Sequence, residues 1–143
     1  MVTKTNTKKT SAKKLVFVSY SRKDTAIVQP VLKKLKHDGI LVWYDKEGIP
    51  PSAIWRKTIA ENVDSCSAFI VFLSGKSVQS ENVKDQLNAA IDRRGEIKLI
   101  PIFTEDFDET QLPTEFKMPL SRIQHLVMTN RSYYRQLLSL LED

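Results

Sequence analysis

Apolar residues fall along the chain in short dense runs, separated by stretches in which they recur every three or four positions. Four runs stand out: LVFVS at 15–19, ILVWY at 40–44, AFIVFL at 68–73 and IKLIPIF at 97–103, with a weaker fifth, IQHLVM, at 123–128. Continuous runs rich in Val, Ile and Phe suit strands buried on both faces. Between them, residues 24–38 place Ile27, Val31, Leu32 and Leu35 at helical spacing and stop at Gly39, a good helix terminator. Residues 53–64 carry Ile54, Trp55, Ile59 and Val63 in the same way. Residues 80–94 carry Val83, Leu87, Ala90 and Ile91, with Ser80 placed to cap that helix. A last helix is predicted over 131–142.

Strands alternating with helices imply a parallel sheet with right-handed crossovers and helices on both faces. The fold class expected is α/β, a flavodoxin-like three-layer fold with a five-stranded parallel sheet in the order 2-1-3-4-5. Such sheets bind ligands outside the carboxyl ends of the strands, at the switch point between the first and third. Three loops therefore matter: 19–24, 45–52 and 74–80. The first strand runs into SYSRKD, the second ends in WYDKEGIPP and the third in LSGKSVQS, so hydroxyls, rings, cations and acids gather at one edge. Residue by residue, a structural account competes: Asp24 as a helix cap and Trp43 as core.

Length and composition fit one domain with a real core, since the chain has 143 residues, 41% of them hydrophobic and 27% charged. The net charge of +5 changes less than it suggests. Lys4, Lys8, Lys9, Lys13 and Lys14 stand at the start without an acid among them, and the remainder balances. Residues 1–13 read as a flexible basic leader and 14–143 as the folded domain. Nucleic-acid binding through the leader is the alternative to a solvated tail; the partners expected include neither nucleic acid nor membrane. Leu15–Val18 is too short for a secretory signal, and no run approaches a membrane span. Cys66 is the lone cysteine, which excludes an internal disulfide and fits the cytoplasm. With no histidine beside it, Cys66 reads as a packing residue, and His37 and His125 are too isolated for a metal cluster. A phosphoacceptor receiver is excluded because the third strand ends in Leu73-Ser74 where an Asp is needed. Four glycines supply no phosphate-cradling loop.

The stretches FVSYSRKD at 17–24, GILVWYDKEGIPPSAIWRKTI at 39–59, CSAFIVFLSGKSVQSENVKDQLNAA at 66–90 and IKLIPIF at 97–103, in this order and spacing, resemble a Toll/interleukin-1 receptor (TIR) domain of the prokaryotic type. The resemblance covers residues 14–142. It implies an NAD+ glycohydrolase, releasing nicotinamide and leaving ADP-ribose or a cyclic isomer, which acts in bacterial anti-phage defence and is activated by self-association. NAD+ is then a substrate, with no cofactor or metal. Carried onto this chain, the family's motifs put Ser19, Tyr20, Ser21, Arg22, Trp43, Asp45, Ser74 and Asn82 around the nucleotide. They make Lys46, Glu47, Gly48, Ile49, Pro50 and Pro51 an assembly loop. Pro50-Pro51 replaces a frequent Pro-Gly and stiffens that turn. Partners implied are other TIR domains, as a homo-oligomer or filament, and a sensor domain or protein outside this chain.

One residue departs from the catalytic pattern. The enzymes carry a glutamate after S-x-x-V-x-x, and here Ser80-Glu81-Asn82-Val83-Lys84-Asp85 is followed by Gln86. Breaking the nicotinamide–ribose bond develops positive charge on the ribose, which a carboxylate offsets and an amide does not. At about 100° per residue, Gln86 lies at the edge of the apolar stripe beside Asn82, while Asp85 points nearly the opposite way and cannot substitute. The chain is thus expected to bind NAD+ and to cleave it slowly or not at all. Gln86 is either the native residue of a TIR module that recruits without cutting, or an isosteric replacement in an otherwise catalytic domain.

Overall fold

A computed structural model describes residues 15–44, 66–93 and 95–142; the leader, the loop 45–52 with Asp45 and Lys46 to Pro51, the helix expected over 53–64 and the side chain of Cys66 lie outside the described residues. Five strands, β1 (Leu15–Ser19), β2 (Leu41–Trp43), β3 (Cys66–Leu73), β4 (Lys98–Phe103) and β5 (Leu126–Val127), form one sheet in the order β2-β1-β3-β4-β5. All four pairings are parallel. The doubly wound order read from the sequence is therefore the one observed. The three central strands are the long ones, each largely apolar, while β2 and β5 are short edges.

Among the described residues four helices flank the sheet: α1 (Thr25–His37), α2 (Glu81–Asp92), α3 (Thr114–Ser121) and α4 (Tyr133–Glu142). Alternation along each strand divides the core in two. Phe17, Phe69, Val71 and Leu73 face α2 and α3, packing on Val83, Leu87, Phe116 and Leu120, whereas Val16, Val18, Ile70 and Phe72 pack with Val31, Leu35, Leu137 and Leu141 of α1 and α4. The result is the three-layer sandwich that two-sided burial demands. Gly39 ends α1 as expected, with φ +83° and with Ile40 N–H bonded to the Leu35 carbonyl at 3.0 Å. Ser80 caps α2 by accepting from Val83 N–H at 3.3 Å.

Two expectations for α1 are corrected. Ile27 lies on the outer side of α1, 40% exposed, and Val28 takes its place in the core. The helix begins at Thr25, after a 3-10 turn over Arg22–Asp24, and its buried face is Val28, Val31, Leu32 and Leu35, a regular three-four spacing that leaves Ile27 to one side. Gln86 keeps the edge position on the apolar stripe of α2 expected for it and is itself buried, at 4% exposure. Helix α3 went unread because only Phe116 and Leu120 of its eight residues are buried.

Candidate functional site

The carboxyl ends of β1 and β3 face each other across the switch point, and a cleft of about 670 Å³ opens there. One wall follows β1 and consists of Tyr20, Ser21, Arg22 and Lys23. The other follows β3 and consists of Lys76, Gln79, Ser80 and Asn82. Two of the three loops singled out from the sequence are thus brought together; the third, 45–52, lies outside the described residues. The lining carries three cations and no acid among the described residues, which favours an anionic or phosphate-bearing ligand.

Local chemistry builds each wall. Ser21 accepts from Lys23 N–H at 3.2 Å and Thr25 donates to the Arg22 carbonyl at 2.6 Å, winding the first wall into its 3-10 turn. Tyr20 packs on the α1 face of the core with its ring 5.9 Å from that of Tyr44. On the other wall, Ser77–Gln79 forms a second 3-10 turn that leads into Ser80 and α2.

The segments that line the cleft also carry buried polar groups: Ser19, Asp24, Ser74, Ser77 and, on α2, Gln86. Ser19, the last residue of β1, donates from Oγ to Oε1 of Gln86 at 2.5 Å. Gln86 stands one helical turn beyond the cleft residue Asn82, on the same side of α2. Its Nε2 is buried and has no hydrogen-bond partner among the described residues. Ser74 donates to Oδ2 of Asp24 at 2.5 Å and accepts from Ser77 N–H at 2.9 Å.

The sequence-predicted residues therefore separate into groups. Tyr20, Ser21, Arg22 and Asn82 line the cleft; Ser19, Ser74 and Gln86 are buried, with the Ser74 hydroxyl engaged by Asp24. Trp43 is partly buried with its ring 4.8 Å from that of Phe17, one pleat below Ser19, so it packs on the core. Asp85 is exposed on the far side of α2. Lys23, Lys76, Gln79 and Ser80, the last read only as a helix cap, were missed as lining residues, although their loops were marked by position. Asp24 makes no side-chain cap to α1, contrary to the capping account. Among the described residues no cluster of His, Cys, Asp or Glu is fit to hold a metal, and no helix is long and apolar enough to cross a membrane.

Known proteins give this architecture a family. The family model described as "TIR domain" matches residues 16–141. Among solved structures, the chain is similar to the TIR domain of the Toll-related receptor TRR-2 from the lower metazoan Hydra magnipapillata, at 16% identity and a TM-score of 0.66, over 90% of this chain and 98% of that one. It is similar also to the TIR domains of the activated Roq1 resistosome, which directly recognises the pathogen effector XopQ, at 18% identity and a TM-score of 0.62, over 89% and 98%. These identities speak for the shared fold. No curated protein matches the chain. With a family model spanning almost all of the folded region and the sheet order and helix layers of solved TIR domains, the chain belongs to the TIR domain family.

Proposed function

We propose that this domain is laid out as an NAD+ glycohydrolase with Gln86 at the catalytic position, so that it binds NAD+ and cleaves it slowly or not at all. The observation that carries this reading is the buried pair Ser19–Gln86, in which a hydroxyl fixes one end of the amide and Nε2 is left unpaired at the switch point. A buried unsatisfied donor costs about 1–3 kcal/mol, and an oxygen of a bound ribose is a fitting acceptor. Arg22, Lys23 and Lys76 suit the pyrophosphate, and the cleft volume falls within the roughly 300–1,000 Å³ of ordinary ligand sites. On this reading Tyr20, Ser21, Arg22 and Asn82 contact the nucleotide, Ser19, Ser74 and Trp43 shape the site, and Asp45 completes it.

Cleavage breaks the bond between ribose C1′ and the pyridinium nitrogen. The electron pair leaves with nicotinamide, which departs neutral, so no general acid is needed. Water captures the ribosyl cation and loses a proton to give ADP-ribose, or a nitrogen of the adenine closes a ring to give a cyclic isomer. What speeds the step is a negative charge beside the ribose, and the amide of Gln86 can hold a hydroxyl without supplying that charge. Loss of one preorganised electrostatic group typically lowers the rate by about 10²–10³. The same proposal includes a cytoplasmic anti-phage role that depends on self-association through Lys46 to Pro51 and on a sensor domain or partner protein; the resistosome whose TIR domains share this fold recognises a pathogen effector.

A recruiting module without chemistry is the second reading. The burial of Gln86 favours it, because a neutral amide suits a site whose donor is one hydroxyl better than a carboxylate does. Nicotinamide release from NAD+ at high protein concentration, by the chain and by Gln86→Glu side by side, separates them. Release by the glutamate form alone assigns the enzyme plan; release by neither, under conditions that assemble the domain, leaves the recruiting module.

A further inference from the structure

Asp24 is an expensive residue for its position. Its side chain is 2% exposed, it leaves the end of α1 uncapped, and its hydrogen bond goes to a residue fifty positions away. A carboxylate removed from water is costly unless it is hydrogen-bonded. The bond it makes joins the two chain segments that form the cleft: Asp24 directly follows the wall Tyr20–Lys23, and Ser74 stands two residues before Lys76, where the other wall starts.

The tie continues beyond the pair. Ser74 Oγ donates to Asp24 and accepts from Ser77 N–H, and Ser77 Oγ in turn accepts from Ser74 N–H at 2.8 Å. Ser77 is fully buried and opens the 3-10 turn whose end caps α2, the helix that carries Asn82 and Gln86. Arg22 and Lys23 stand across the opening from Lys76, and like charges there push the walls apart. The buried hydrogen bond from Ser74 to Asp24 joins the two segments and resists that separation.

We propose that Asp24 and Ser74 are positioning residues, a tie that sets the spacing of the two walls and so holds the nucleotide-binding groups of β1 and α2 in register. The proposal rests on the nucleotide reading above for its effect on binding, but the tie itself does not.

The test measures NAD+ affinity by calorimetry, together with thermal melts and amide hydrogen exchange, on the whole chain and on Asp24→Ala, Ser74→Ala, the double variant and Asp24→Asn. Each alanine variant is expected to weaken NAD+ binding about ten-fold, as loss of one buried hydrogen bond implies. The double variant should lose no more than either single one, because both remove the same bond. Asp24→Asn keeps an oxygen that accepts from Ser74 and should stay within about three-fold of the parent. Exchange should quicken together at residues 21–24 and 76–80, whichever partner is removed. The proposal is overturned if both alanine variants melt cooperatively and bind as the parent does, or if exchange quickens only around the substituted residue. Should the parent itself not bind NAD+, the nucleotide reading fails, and the exchange pattern still decides the tie.

Discussion

The cleft between β1 and β3 is polar, and the cleft beside β4 has an apolar floor. The first is lined by polar and cationic side chains, and the segments that carry them also bury Ser19, Asp24, Ser74, Ser77 and Gln86. The second, of about 490 Å³, rests on Phe103, Leu112, Leu120 and Ile123. Its charges are mixed: Lys117 stands on one side, and on the other His125 stacks on Phe103 at 4.2 Å with its Nε2 3.8 Å from Glu109. Folding alone accounts for the second cleft, since its walls belong to the same core that packs α2 and α3. It does not account for the first, where an apolar set of similar shape would hold the strands without buried polar groups. Buried polarity beside a single-signed rim is therefore the better mark of a site than cleft volume, which differs little between the two.

That contrast is open to a direct break. Phe103→Ala should destabilise the domain by about 3–5 kcal/mol, the usual range for an aromatic lost from a core, and leave NAD+ affinity unchanged in the fraction that remains folded. Urea unfolding and calorimetry on the same sample check both halves. A large loss of affinity would mean that the apolar cleft also takes part in binding.

At the polar cleft the expectation is reversed. Gln86→Glu should raise nicotinamide release by about 10²–10³ while making the fold less stable, because a carboxylate there has one hydroxyl donor and little water. Burial pushes a carboxyl above its ordinary range, so the acid limb of the rate profile should lie above that range, with activity appearing as pH rises and the group ionises. Stability and activity moving in opposite directions is the signature of a functional position.

Much of the fold could be read from the chain, and for a reason. Strands buried on both faces have no amphipathic alternation to obscure, so LVFVS, AFIVFL and IKLIPIF declare themselves. The switch point follows from strand order, and with it the position of the site. What escaped was set by contacts distant in sequence. Asp24 carries the local signature of a cap, yet its partner lies fifty residues on. Gln86 at the edge of the α2 stripe carries no local sign of its burial, which depends on Ser19, sixty-seven positions away, to satisfy its oxygen. Helix α3, with Pro113 at its start, Pro119 within it and an exposed Met118, has too little periodicity to announce itself.

A smaller effect sharpens the account of the buried polar groups. Ser19→Ala should cost about 1–3 kcal/mol, because the oxygen of Gln86 then stays buried without its donor. Adding Gln86→Leu should recover most of that loss, since replacing both partners by apolar groups of similar shape is close to neutral. Chemical denaturation of the two single variants and the double one measures the coupling. If Ser19→Ala is silent, water reaches Gln86 and its surroundings are not dry.

The smallest effect comes from a polar contact away from both clefts, where α4 meets the end of α1. Tyr134 donates from its hydroxyl to Oδ2 of Asp38 at 2.6 Å. Partial burial, followed by the bond to Asp38 and its charge, pushes the phenol well above its ordinary value. The native state thus holds this proton more tightly than the unfolded chain does. Its contribution to stability is complete below the unfolded pKa of about 10, and it declines as pH rises beyond that, because the unfolded chain ionises first. Tyr134→Phe should remove that alkaline decline and change stability at neutral pH by less than about 1 kcal/mol, as for other solvent-accessible contacts. Melting curves from about pH 8 to 11 test it, with Tyr133→Phe as the comparison, since burial raises that phenol also. NAD+ affinity should not move in either variant. A polar contact at the surface and the buried polar groups of the cleft segments then part company on the same two measurements: the first titrates with the fold alone, and the second with the ligand as well.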